Sequence, residues 1–223
     1  MSEVNLVSIT QPDYDYTGCV SAQELIAWCA RISNPGNQQN HQSAPKLLEY
    51  LITHKHFSPL EMVDVSLEVR TTRDIARQML RHRSFVFQEY SQRYADPTKD
   101  LNFVTREARL QDPKNRQNSV EVSDVHLEAL WADAQNIVKN EALKSYRWAI
   151  DHGIAKEQAR SVLPEGLTES VLIMKGSLRS WIHYCILRMA PETQREHRIV
   201  AEQCWEIITE QFPDIVEAFN ADT

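Results

Sequence analysis

Residues 62–70 read MVDVSLEVR, and their alternation sets the fold class. Val63, Val65, Leu67 and Val69 fall on one side of an extended chain, with Asp64, Ser66, Glu68 and Arg70 on the other. A strand of this kind is half-buried and packs its apolar side against something else. The next residues supply the cover. Thr72 stands as the cap of a helix whose Ile75, Ala76, Met79 and Leu80 face the core, while Gln78 and Arg81, three apart, share its polar face. Upstream, VNLVSIT at 4–10 reads as a first strand, and 168–175 as a short strand or extended entry.

Helical patterns fill most of the remaining chain. Ser21 with Glu24 makes a capping box for Leu25, Ile26, Trp28, Cys29 and Ile32, ended by SNPG at 33–36. Ser43, with Pro45 just inside, opens a second helix carrying Leu47, Leu48, Leu51 and Ile52. Residues 101–105 suit another strand, and 112–119, DPKNRQNS, an exposed loop. From Asp124 to His152, apolar residues from Leu127 to Ile150 describe a long helix ended by Gly153. Ser177 caps a helix with Leu178, Trp181, Ile182, Cys185 and Ile186 inward. Pro191 opens the last one, with Ile199, Val200, Cys204, Ile207 and Ile208 inward, stopped by Pro213. The expectation is an α+β fold, a small antiparallel sheet packed with several long helices, as a single compact domain over residues 1–223.

Bulk properties agree. At 223 residues and 25.8 kDa the chain suits one domain, burying roughly 70% of its unfolded surface without help from disulfide or metal. Its apolar runs fall short of the roughly 20 residues that span a bilayer, and MSEVNLVSIT lacks the blocks of a secretory signal. A cytoplasmic protein with no membrane partner is expected. A net charge of −7 argues against a general nucleic-acid binder. Cys29, Cys185 and Cys204 fall among apolar helical positions, and the four cysteines form no CxxC pair or evident nucleophile.

The chemistry concentrates in RHRSFVFQEYSQRY, residues 81–94. Arg81, His82 and Arg83 stand in a row, followed by Gln88, Glu89, Ser91, Gln92 and Arg93 interleaved with Phe85, Phe87, Tyr90 and Tyr94. Such a run can hold an anion, hydrogen-bond a flat heterocycle and stack on it, because the planar guanidinium meets phosphate bidentately. Six arginines lie between Arg70 and Arg93, a local cationic patch on an acidic protein. Two rival uses are a stacking platform for nucleic acid and a metal-dependent hydrolase built on His54, His56 and His82. His54 and His56 would face one way in an extended segment, but no further cluster completes a metal site, so no metal is expected.

The same stretch resembles the signature of the flavin-dependent thymidylate synthases: arginine-histidine-arginine, seven residues, then serine, here Ser91. Three further blocks are similar to the family's in the same order. HKHFSPLE at 54–61 matches at His54, His56, Ser58, Pro59 and Glu61; Ala159-Arg160 leads to Leu163-Pro164; and GSLRSWIHYCILR spans 176–188. The departures are Gln88 where the family often has Asn, Val86 where many members have Ser, and His183 where some have Asn. The resemblance implies reductive methylation of dUMP to dTMP without a covalent nucleophile on the enzyme. Methylenetetrahydrofolate would be the carbon donor and FAD reduced by NADPH the hydride source. It implies a homotetramer with shared active sites, consistent with the lack of a G-x-G-x-x-G fingerprint in a chain with five glycines. Flavin binding is thereby expected of His56, Ser58, Glu61, Arg81, His82, Arg83, Gln88, Glu89, Ser177, Arg179 and His183. The nucleotide is expected at Gln78, Arg81, Glu89, Tyr90, Ser91, Gln92, Arg93, Arg160 and Arg188, with Arg188 the catalytic side chain.

Overall fold

The structure, a computed structural model, describes residues 2–221; Met1, Asp222 and Thr223, part of the expected 1–223 domain, lie outside the described residues. The fold is α+β. Strand β1 (Glu3–Ile9) leads to the short helix α1 (Tyr14–Thr17), then α2 (Ala22–Ala30) and α3 (Ala44–Thr53). Strand β2 (Asp64–Thr72) passes directly into α4 (Arg73–Met79), followed by β3 (Val86–Glu89) and a single turn, α5 (Pro97–Asp100). A hairpin of β4 (Arg109–Gln111) and β5 (Ser119–Glu121) precedes the 27-residue α6 (Val125–Asp151) and α7 (Lys156–Ala159). The chain closes with β6 (Glu169–Ser177), α8 (Leu178–Arg188), α9 (Arg195–Gln211) and α10 (Pro213–Ala221). No helix among the described residues is long and apolar enough to cross a membrane.

Four strands form one sheet in the order β1-β2-β6-β3, antiparallel throughout. The alternation of 62–70 appears as expected: Val63, Val65, Leu67 and Val69 are fully buried. Opposite them in register stand Gly176, Met174 and Leu172, paired with Val65, Leu67 and Val69. Helix α8 lies across this face, where Trp181 Nε1 donates to Val65 O at 2.9 Å and Leu178 N to Val63 O at 2.8 Å. Val200, Cys204 and Ile208 of α9 complete the layer, all fully buried. Fully burying one such aliphatic side chain is worth about 1.5–3 kcal/mol, so the β2–β6 pair with its cover is the main source of stability. A smaller cluster joins Tyr146 and Ala149 of α6 to Ala159 and Leu163.

The structure departs from the sequence reading in several places. The segment 168–175, read as a short strand or extended entry, is a strand but a longer one, the nine-residue β6 in the sheet interior. Residues 101–105 contribute only an isolated bridge, Phe103 to Thr168. The loop 112–119 is the tip of an unforeseen hairpin, organised by Asp112, which accepts from Lys114 N, Asn115 N and Asn118 Nδ2. Ile186 and Ile199, read as inward, are exposed, and Ile32, read at helical spacing, lies past the end of α2 and is exposed too. Pro191 sits in a turn before α9, and Pro213 both follows α9 and occupies the first turn of α10. Pro lacks only the N–H that a first turn leaves unpaired, so the residue that stops one helix can begin the next.

Candidate functional site

Strand β2 sends α4 outward, and the end of α4 delivers the Arg-His-Arg run. His82 N bonds to Met79 O at 2.9 Å and Arg81 N to Gln78 O at 3.3 Å, a final turn that splays the three side chains apart. Arg81 and Arg83 are exposed and, among the described residues, neither makes an ion pair or side-chain hydrogen bond. His82 turns inward and packs edge-on to Tyr184, ring centroids 5.0 Å apart. Its Nε2 accepts from Arg188 Nε at 2.9 Å. Burial, then the charge of Arg188 and the neighbouring His183, push His82 down to about 4. It is therefore neutral at pH 7 and suited to accept that bond.

Behind this pair runs a buried relay. Tyr184 Oη bonds to His197 Nε2 at 3.0 Å, and His197 Nδ1 donates to Gln78 Oε1 at 3.2 Å. Gln78 Nε2 in turn donates to Gln194 Oε1 at 2.8 Å. His197 is fully buried and is pushed to about 3, first by burial and then by Arg188 and His82. The sequence reading missed it, since a lone His in the charged start of α9 carries no local signal.

A cleft of about 500 Å³ opens where β6 passes into α8, lined by Phe57, Glu61, Ser84, Arg179, Ser180, Ile182 and His183 among others. Glu61 accepts from Arg179 Nη1 at 2.9 Å and from the Ser177 hydroxyl, which also caps α8 through Ser180 N. Expected flavin residues Glu61, Arg179 and His183 thus share one cleft, and Ser177 is joined to it through Glu61. Ser58 opens the 3-10 turn beside it, residues 58–62. His56 and His54 do not form the extended pair considered for a metal: Lys55 between them has φ 57, and His54 stacks on Tyr50 at 4.0 Å.

A second cleft, of about 350 Å³, is lined by Arg73, Arg77, Gln92, Glu157, Arg160, Ser161, Leu163 and Glu165. Glu89 stands beside it, 3.4 Å from Arg73 and 3.5 Å from Arg77, its other contact being Ser170 Oγ at 2.9 Å. Gln92 is 3% exposed, and its Nε2 has no hydrogen-bond partner. A buried amide left unpaired costs about 1–3 kcal/mol, so a donor held this way beside arginines suits a ligand that accepts. Arg73 and Arg77 were counted in the cationic patch but not expected in the site. Ser91 Oγ accepts from Arg93 N at 3.4 Å, Arg93 pairs with Glu157 at 3.3 Å, and Tyr90 Oη donates to Asp100 at 2.7 Å. Gln88 is exposed on the outermost strand, paired with Ile173. Among the described residues no hydrogen bond or ion pair joins Gln78, Arg81 or Arg188 to this second cleft. Gln78 and Arg188 belong instead to the network around His197 and His82. A larger groove of about 540 Å³, between the β4–β5 hairpin and α6, is lined by none of the expected residues.

A family model described as thymidylate synthase complementing protein matches residues 15–214. The chain is 45% identical over 215 residues to a probable flavin-dependent thymidylate synthase of Paramecium bursaria Chlorella virus 1, covering 96% of this chain and 97% of that one. The chain belongs to the flavin-dependent thymidylate synthase family. The Synechocystis sp. flavin-dependent thymidylate synthase is also 45% identical, over 219 residues, 98% of this chain and 99% of that one. Among solved structures, the UMP/dUMP methylase PolB from Streptomyces cacaoi bound with 5-Br dUMP matches with a TM-score of 0.79 and 28% identity. The match covers 99% of this chain and 95% of that one. For a flavin-dependent thymidylate synthase family member, the donor set of the first cleft fits the cofactor: a guanidinium, two hydroxyls and an imidazole above apolar walls of Phe57 and Ile182.

Proposed function

We propose that this chain, acting as one domain over residues 1–223 in the cytoplasm, converts dUMP to dTMP. In this reading methylenetetrahydrofolate supplies the carbon and NADPH the reducing equivalents. The observation that carries it is Gln92, a buried amide donor without a partner, in a cleft with three arginines. A pyrimidine nucleotide has both complements, a carbonyl-bearing base for the amide and a phosphate for the guanidiniums.

FAD would be held in the first cleft by Ser84, Arg179, Ser180 and His183, with Arg81 and Arg83 free to meet its phosphates, and when bound it supplies the hydride chemistry. His56, Ser58 and Gln88 would border it. The chain's own work is binding, orientation and charge. Glu89 and Glu165 offset the charge of Arg73 and Arg77, and Arg160 has no ion pair among the described residues. Arg188 is the catalytic side chain: with Nε committed to neutral His82, its two terminal nitrogens can stabilise negative charge developing on the pyrimidine ring. Gln78 is fixed for its contact by His197. Burial pushes the thiols of Cys19, Cys29, Cys185 and Cys204 all upward, so none is a ready thiolate. That supports a reaction with no covalent nucleophile from the enzyme. Gln92 and Arg160 line the second cleft while Gln78 and Arg188 are tied into the network around His82 and His197, and this arrangement supports a homotetramer whose sites combine residues of different subunits.

The test is direct. Purified protein with FAD, dUMP, methylenetetrahydrofolate and NADPH should form dTMP, and omitting dUMP should slow NADPH oxidation. Absence of dTMP with flavin bound would refute the proposal.

A further inference from the structure

Neither cleft uses a third group of side chains, near the start of α2. Cys19, Glu24 and His41 come from three pieces of chain, and their ligand atoms all lie within 4.8 Å of one another. We propose that Cys19, Glu24 and His41 form a binding site for one zinc ion, with water in the fourth position. A thiolate with an imidazole favours a borderline-soft cation, whereas magnesium and calcium take oxygen ligands. Two or more such donors brought together by the fold are what separates this group from a lone buried cysteine.

The geometry is close to what the ion needs. Cys19 Sγ is 3.9 Å from His41 Nδ1; sulfur and nitrogen bound to one tetrahedral zinc lie about 3.5 Å apart, given their usual bond lengths. The ring is oriented from its far side, where His41 Nε2 donates to Gln39 Oε1 at 3.2 Å. That bond leaves Nδ1 unprotonated toward the sulfur, as a metal-binding imidazole requires. Glu24 is steadied at the start of α2, one carboxylate oxygen accepting from Val20 N at 2.8 Å.

The surrounding chain is built to bring these pieces together. Gly18 has φ 71, and a Cβ there would stand 3.0 Å from His41 Nε2, so glycine allows both the turn and the approach of the ring. Arg31, 7% exposed, donates to Asn40 O at 2.7 Å and Ser43 Oγ at 2.8 Å, tying the segment that carries His41 to the end of α2. Cys19 is 1% exposed, while Glu24 and His41 are half-buried, which leaves a route for the ion. Bound there, zinc would pin the α1–α2 turn to the loop before α3.

Full-length protein stripped with a chelator would be dialysed against zinc chloride and its zinc measured by elemental analysis. One zinc per chain is expected, with a rise in Tm on addition. Gln39→Ala, which keeps all three ligands, should weaken zinc binding about 10- to 100-fold by freeing the ring. His41→Ala should retain no zinc and gain no Tm. His41 is only half-buried, so this variant reads the site even where Cys19→Ser disturbs the fold. A wild-type protein that retains no zinc overturns the proposal, and so does a His41→Ala protein that retains as much as wild type.

Discussion

Arg188 and His82 divide one guanidinium between scaffold and ligand. Arg188 Nε is held by His82 at 2.9 Å, and a lysine placed there has no second donor set pointing the other way. Arg188→Lys is expected to fold, bind FAD and be reduced by NADPH, yet form dTMP about 100- to 1,000-fold more slowly. Rapid-mixing absorbance for the flavin, set against product chromatography, separates the two steps. Near-normal dTMP formation would return Arg188 to a helix-end role worth about 0.3–1 kcal/mol. The buried imidazoles have a separate effect on stability. Unfolded His titrates near about 6.5, whereas His82 and His197 titrate at about 4 and about 3 in the fold. Below 6.5 the unfolded chain binds more protons, so stability falls as pH drops toward those values; above 6.5 both states are neutral and the contribution is constant. His197→Gln should therefore flatten the fall of Tm between pH 7 and pH 4.5 in calorimetry, and an unchanged slope would assign the effect to other groups. Local sequence was enough to single out the Arg-His-Arg run with Gln92 as candidates, and Arg160 came from the resemblance to the family. It was not enough for His197, Arg73 or Arg77, because their placement depends on β6 and α9, distant in the chain.

Element boundaries were legible wherever the pattern had one wet side. Strand β2 has one, and its alternation survives in the structure apart from an extension to Thr72. Strand β6 buries Ser170, Leu172, Met174 and Gly176 on one face, but its half-buried other face carries Val171 and Ile173, so VLIM reads as an unbroken apolar run. With both faces apolar at its centre, the strand shows no alternation in sequence and loses its apparent length. The end of β6 also holds a packing constraint. A Cβ on Gly176 would fall 2.5 Å from Phe85 Cδ1 and 2.7 Å from its Cε1. Phe85 cannot retreat freely, since its ring packs edge-on to Trp181 at 4.8 Å. Gly in a strand interior marks such close approaches of neighbouring groups. Gly176→Ala should cost about 1–3 kcal/mol, as overpacking does, and should weaken FAD binding by shifting the Arg-His-Arg turn that Phe85 anchors. Denaturant unfolding together with flavin titration checks both, and unchanged stability would show that the ring has room to move.

At the scale of the whole molecule, α6 is the element whose exposure does not match its sequence. Its apolar residues were read as a helical pattern, and the helix is present, but Leu130, Ile137 and Val138 are exposed, Ile137 at 70%. Only Gln135, Ala142, Tyr146 and Ala149 are buried along its 27 residues. A long apolar face left open in a single chain is unusual for a monomer. The proposed occupant is another copy of this chain, because Gln92 and Arg160 line one cleft while Gln78 and Arg188 are held in the network around His197 and His82. If α6 faces build the homotetramer, Ile137→Glu with Val138→Glu should lower the mass in light scattering below that of four chains. The same change should abolish dTMP formation while leaving helix content intact. The shared site gives a stricter check. Arg93→Ala and His56→Ala should each be inactive, yet mixing the two under conditions of subunit exchange should restore part of the activity, since some sites would then combine two intact halves. A mixture that exchanges subunits and stays inactive would mean that Arg93 and His56 serve a site drawn from the same chain, and the exposed face of α6 would need another partner.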